Sequence, residues 1–211
     1  MTDAEPVPLD LLDRATLRKR SRNVAFAALV VAAALGGVVG LIAGPQGFAI
    51  TAAIVAVPLL LLAWSESRKT CWLTGTRVSV RAIGTRAVEL KEATRLDVIV
   101  TDTRGMRTVS LLVAGPPKGK AISIALAMYA GTGGRELGVY PLRRLADALA
   151  GTGYAHALVL SELVVAQLRS EARGDAAADR PLYRLASLAP QGRLAQRLHP
   201  DAVAKFVTAL G

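Results

Sequence analysis

The sequence predicts an α+β protein: a two-helix apolar hairpin, then an antiparallel β domain capped by a helix, then a helical C-terminal extension. Three observations carry this. Residues 24–43 and 47–64 are uncharged and separated only by a glycine-proline turn. From Thr70 the apolar period changes from helical to alternating, and after Pro141 it becomes helical again. Composition agrees, with 52% hydrophobic residues but only 4% aromatics and a mean hydropathy of +0.39. The apolar surplus is therefore aliphatic, as in a chain partly dissolved in lipid.

The first element, residues 1–22, is a basic N-terminal segment. In its stretch LDLLDRATLRKR, Leu9, Leu12 and Thr16 share one helical face and the basic residues gather at the end. Two readings stay open: a helix lying on the membrane surface, or a frayed tail whose charges set topology.

The second element is the hairpin, residues 23–65. Its first uncharged run has 20 residues. At about 1.5 Å of rise per residue that spans about 30 Å, the thickness of a bilayer core. Arg18, Lys19, Arg20 and Arg22 precede it, Arg68 and Lys69 follow the second run, and the turn between carries no charge. Lys and Arg favour the cytoplasmic side, so a multi-pass protein of the plasma (inner) membrane with both termini cytoplasmic is expected. The remaining chain is too short to bury two fully apolar helices in a soluble core. A cleaved signal peptide fits less well, because the run is long and a second follows at once.

Within the hairpin, Gly36, Gly40 and Gly44 lie four apart on one helical face. Each weakens a helix in water by about 1 kcal/mol relative to alanine. In lipid, helices associate through close approach at small residues. The glycine face is expected to pack either on the second span, where Ala49, Ala52, Ala53 and Ala56 are small, or on another membrane protein. Pro58 is expected to bend the second helix.

The third element, residues 70–151, reads as strands CWLT (71–74), RVSVR (77–81), RAVEL (86–90), RLDVIV (95–100), RTVSLLV (107–113) and KAISIAL (120–126), with a seventh at Leu137–Tyr140. Short turns between them, such as Gly75-Thr76, Ile83-Gly84-Thr85 and Gly115–Gly119, imply an antiparallel meander. Pro141 opens a helix with the stripe Leu142, Leu145 and Leu149, ended by Gly151. Val78, Val80, Leu96, Val98 and Val100 are expected to pack on that stripe, so that residues 70–211 fold as a soluble unit. Residues 152–211 form the helical extension: Ala155–Arg173, a linker at Asp175–Pro181, and shorter helices near Leu182–Leu188 and Asp201–Leu210.

Reactive constellations are not expected. The lone Cys71 permits no internal disulfide and reads as a small apolar side chain at a strand start. His156 and His199 lack ligands at metal spacing. Gly131-Thr132-Gly133-Gly134-Arg135 lacks a P-loop ending and reads as a flexible loop. Glu89, Glu92, Asp97 and Asp102 are scattered, so no catalytic, metal or cofactor site is expected. The net charge of +10 is assigned to anionic lipid headgroups rather than nucleic acid, because stacking aromatics are scarce. An arginine-rich composition with a single asparagine, Asn23, suggests a GC-rich bacterial genome.

A membrane hairpin followed by CWLTGTRVSVRAIGTRAVEL, further strands and an amphipathic helix resembles the bacterial PH-like domain proteins with a short membrane anchor. The likeness covers roughly residues 24–150. It implies a seven-strand bent sheet capped by a helix and a non-enzymatic binding role. Phosphoinositide-binding relatives cluster basic residues around the first strand pair, whereas here only Arg77 stands beside the Gly75-Thr76 turn. The expected function is a membrane-anchored binding or assembly module whose partners are anionic lipid and other membrane proteins. Its rivals are a peripheral lipid sensor and an accessory subunit of a transporter or cell-envelope enzyme.

Overall fold

Strands paired in chain order, extended at two edges by strands distant in sequence, organise this molecule. The computed structural model describes residues 5–11, 14–82, 84–116, 120–131, 133–190 and 194–210, without the side chains of residues 14–18, 20, 65–67 and 120. The expected turn residues Ile83 and Pro117–Gly119 and the position Leu12 lie outside them, as do the side chains of Thr16, Arg18 and Arg20. The chain is α+β and divides into two units. One comprises Met1–Leu11, Thr70–Val80 and Thr85–Gly211, the other Leu12–Lys69 and Arg81–Gly84.

The second unit is dominated by α1 (Arg14–Ser67), which leaves helical geometry at Gly44 (φ 72°, ψ −172°). A positive φ of this size suits glycine, which has no Cβ to clash. Residues on either side of the break touch. A Cβ added to Gly36 would lie 3.2 Å from the Ala52 Cβ, and one added to Gly40 would lie 2.9 Å from the Phe48 Cβ. Ser21 Oγ donates to the Ala63 carbonyl at 2.9 Å. Ala28 and Ala32 are buried, as is Gly36, so the small-residue face starts two turns earlier than the sequence suggested. Gly44 is not part of it: nothing lies within 4 Å of an added Cβ there. Spacing alone cannot separate a contact glycine from a turn glycine.

In the first unit, alternation produces two antiparallel sheets. β1 (Val7–Pro8), β2 (Thr70–Thr74), β3 (Arg77–Arg81) and β4 (Thr85–Glu89) lie in the order β1-β2-β3-β4. β5 (Arg95–Thr103), β6 (Met106–Gly115), β7 (Lys120–Ala130), β8 (Gly133–Glu136) and β9 (Gln196–Leu198) lie in the order β8-β7-β6-β5-β9. Leu96, Val98 and Val100 pair with Val113, Leu111 and Val109, and Val113 and Leu111 pair onward with Ile122 and Ile124. All eight are buried, giving one continuous apolar face.

That face meets α2 (Val139–Ala150), whose Leu142, Leu145 and Leu149 are fully buried, as the stripe predicted. Each large side chain buried this way stabilises the fold by about 1.5–3 kcal/mol. α3 (Ala155–Arg173), α4 (Pro181–Ser187) and α5 (Pro200–Thr208) match the expected helices. They do not stand apart as an extension: Leu160, Leu163, Leu182, Leu185 and Val203 join the same core. Ser161 Oγ donates to the Ala146 carbonyl at 2.9 Å, and the Leu182 N–H donates to Gln167 Oε1 at 3.0 Å.

Three short strands differ from expectation. β1 lies in the segment expected to be a helix or a tail, and its neighbour Leu9 is buried in the β core. β9 lies between two expected helices and adds an edge to β5. The seventh strand is not at Leu137–Tyr140 but at Gly133–Glu136, inside the glycine-rich stretch read as a loop, with Thr132 outside the described residues. A Cβ on Gly134 would collide with the Tyr129 ring, so glycine lets this edge strand lie over that ring.

Candidate functional site

The ends of two β-hairpins and one short helix enclose a cavity in the first unit. The β5–β6 turn contributes Arg104 and Gly105, both with positive φ (54° and 78°). Two successive left-handed residues match the twist of paired strands, but the first position favours asparagine, aspartate or glycine. Asp102 anchors the turn: its Oδ1 accepts from the Gly105 N–H at 3.2 Å. Its Oδ2 lies 3.6 Å from Arg107 Nε. Arg107 Nη1 donates to the Ala186 carbonyl at 3.3 Å, tying β6 to the end of α4.

The lining is also aromatic, and Tyr129 is the cross-strand partner of Arg107. Tyr129 of β7 and Tyr183 of α4 meet edge to face, with centroids 5.0 Å apart and rings 75° from parallel. Tyr183 Oη donates to the Gly131 carbonyl at 3.2 Å. Tyr129 Oη donates to Glu136 Oε1 at 2.6 Å, and Glu136 Oε2 pairs with Arg180 Nη1 at 2.5 Å. With Leu194 at the rim, these groups enclose about 800 Å³, open on one side. That is within the usual range of small-molecule pockets, roughly 300–1,000 Å³.

Burial, and then the hydrogen bond to Glu136, raises the Tyr129 hydroxyl above its ordinary value of 10.0. The hydrogen bond to Glu136 also holds Arg180 above its ordinary value. For Tyr129 the stability is fully present below pH 10 and is lost as pH climbs beyond it, because the unfolded state releases the proton first. Tyr129→Phe is therefore expected to flatten the alkaline decline: denaturant midpoints at pH 9 and pH 11 should differ less in the variant than in the parent.

Of the residues singled out by sequence, Asp102 and Gly131 line this cavity, and the others lie elsewhere. Gly36, Gly40 and Gly44 sit on α1, as do the backbones of Arg18 and Arg20. Lys19, Arg22, Arg68 and Lys69 are exposed, and the Arg68 guanidinium stacks on Trp64 at 4.2 Å. Cys71 is buried and forms no disulfide. His156 Nε2 donates to the Leu96 carbonyl at 2.6 Å, while the exposed His199 lies 3.4 Å from Asp201. Glu89 accepts from Thr76 Oγ1, Asp97 lies between Arg95 and Arg197, and Glu92 is exposed. Among the described residues, no three His, Cys, Asp or Glu side chains are grouped to hold a metal.

Sequence reasoning missed Arg104, Arg107, Tyr129 and Tyr183. The one available signal was Arg104 itself, an arginine before glycine at a hairpin tip. No protein-family model matches this chain, and neither curated proteins nor solved structures gave a match.

Proposed function

We propose that this protein is a membrane-anchored, non-enzymatic binding or assembly module: α1 crosses the plasma (inner) membrane twice as a hairpin, and the cytoplasmic β unit is PH-like. The observation that carries the reading is the pairing of β1 with β2. Val7 pairs with Leu73 and Pro8 with Trp72, although the apolar segment separates them in sequence. Strands cannot pair through a bilayer, so a segment inserted between them crosses an even number of times.

Further features support this. Within Ser21–Trp64 an 18-residue stretch reaches a mean hydropathy of 2.5 and is only 17% buried, with Leu41 and Ile42 91% and 86% exposed. Such a surface is costly in water and favourable in lipid. The break at Gly44 and the Ser21–Ala63 hydrogen bond support a return path. Exposed Lys19, Arg22, Arg68 and Lys69 at both ends support a cytoplasmic β unit. Two antiparallel sheets followed by α2 support the PH-like reading. Arg68 stacked on Trp64 favours contact with anionic headgroups, because both residue types concentrate at membrane interfaces. Other membrane proteins remain the second class of partner in this proposal.

The test is thiol labelling at introduced cysteines, since native Cys71 is 8% exposed and therefore silent. With a membrane-impermeant reagent, Gln46→Cys is expected to label in intact cells and Glu162→Cys only after permeabilisation. Labelling of Glu162→Cys in intact cells would reverse the orientation. Failure of Gln46→Cys to label until permeabilisation would remove the double crossing.

A further inference from the structure

We infer that the cavity between the β5–β6 turn, the β7–β8 turn and α4 binds a small molecule carrying one oxyanion, phosphate or carboxylate, on a planar apolar body. This goes beyond the anchoring reading and uses only the β unit. The cavity is built from four separate stretches of sequence and has a mixed lining. It includes two guanidinium groups, Arg104 and Arg107, against a single carboxylate, Asp102, so the lining carries one excess positive charge.

The two arginines are held differently. Arg107 has an exposure of 21% and uses Nε and Nη1 on Asp102 and Ala186, leaving donors on its remaining nitrogen. Arg104 is exposed and makes no ion pair among the described residues. Its left-handed backbone (φ 54°) is a conformation that costs a side-chain-bearing residue stability. Such a residue at a cavity rim is a signature of function, because folding alone would favour glycine or asparagine there. Guanidinium groups match phosphate and carboxylate through paired N–H donors.

The hydroxyls of Tyr129 and Tyr183 already donate to Glu136 and Gly131. Tyr129 is 3% exposed and backs the half-buried Tyr183, so the ring surface offered to a ligand is mainly that of Tyr183, extended by Leu194, which is 78% exposed. An anion with an aromatic or flat apolar body satisfies both the guanidinium groups and the apolar lining, whereas a bare anion meets only the first.

The experiment is isothermal calorimetry on the full chain in phosphatidylcholine nanodiscs, where no anionic lipid competes, titrated with phenyl phosphate, benzoate and inorganic phosphate. Phenyl phosphate or benzoate is expected to bind saturably and about tenfold or more tighter than inorganic phosphate. The tighter of the two names the anion. Arg104→Gly is expected to weaken binding about tenfold while its melting temperature holds or rises, since glycine adopts positive φ without strain. Arg104→Asn, also at ease in that conformation, should lose affinity equally. No saturable heat with any probe would overturn the inference, as would inorganic phosphate binding as tightly as the aromatic anions. Parental affinity in both Arg104 variants would likewise overturn it.

Discussion

Leu9→Ala is expected to cost the β unit about 2–5 kcal/mol, the usual loss for emptying a fully buried leucine site. Leu9 is 2% exposed, and its N–H donates to the Cys71 carbonyl at 2.8 Å. Asp10 Oδ1 accepts from the Cys71 N–H at 2.8 Å. Residues 5–11 therefore complete a sheet whose other strands begin at Thr70. A chain cut to residues 70–211 lacks that strand. It is expected to melt well below a chain in which a short Gly-Ser linker replaces residues 12–69 and keeps residues 5–11. Circular dichroism melts compare the two directly. Equal melting temperatures would mean that β1 adds nothing to the fold.

The second large effect is expected at Gly40. Gly40→Leu raises intrinsic helix propensity, so a rule based on propensity alone expects gain. Packing expects loss: even the first added carbon would stand 2.9 Å from the Phe48 Cβ, and overfilling a packed contact typically costs about 1–3 kcal/mol. Val38→Leu is the control, at a position 62% exposed, and is expected to be mild. Thermal melts of the full chain in detergent should show Gly40→Leu destabilised and Val38→Leu close to the parent. Because Gly40 faces Phe48 of the same chain, the loss should appear in stability whether or not a partner is present. Parental melting of Gly40→Leu would remove the close approach from this account.

Elements with strong periodicity were legible. Leu96, Val98 and Val100 alternate over a long strand, and Leu142, Leu145 and Leu149 recur at helical spacing, so each pattern names its buried face without knowledge of the partner. α3 was legible because its apolar positions run for five turns. β1, with two residues, and β9, with three, are too short for alternation, and what stabilises them is pairing with β2 and β5 far away in sequence. β8 was hidden because glycine is a poor strand former, and only the nearby Tyr129 ring makes it the fitting residue at position 134. The cavity was the least legible feature. Arg104, Tyr129 and Tyr183 converge only once two hairpins and α4 are in place, and no spacing in the sequence encodes that meeting.

The β1–β2 pairing also sets an order of events during synthesis. Residues 5–11 leave the ribosome before their partner strand, since Asp10 and its partner Cys71 are 61 positions apart. The entire apolar segment has to emerge before the strand has anything to pair with. If that segment is drawn into the bilayer as it appears, residues 5–11 wait for their partner strand and are among the last of the sheet to settle. Membrane insertion then shortens the search, since a segment that enters and returns brings its two ends back together and reduces the entropy lost in closing so long a loop. On the proposed topology, residues 5–11 act as a latch that closes only after the apolar segment has entered the bilayer and returned.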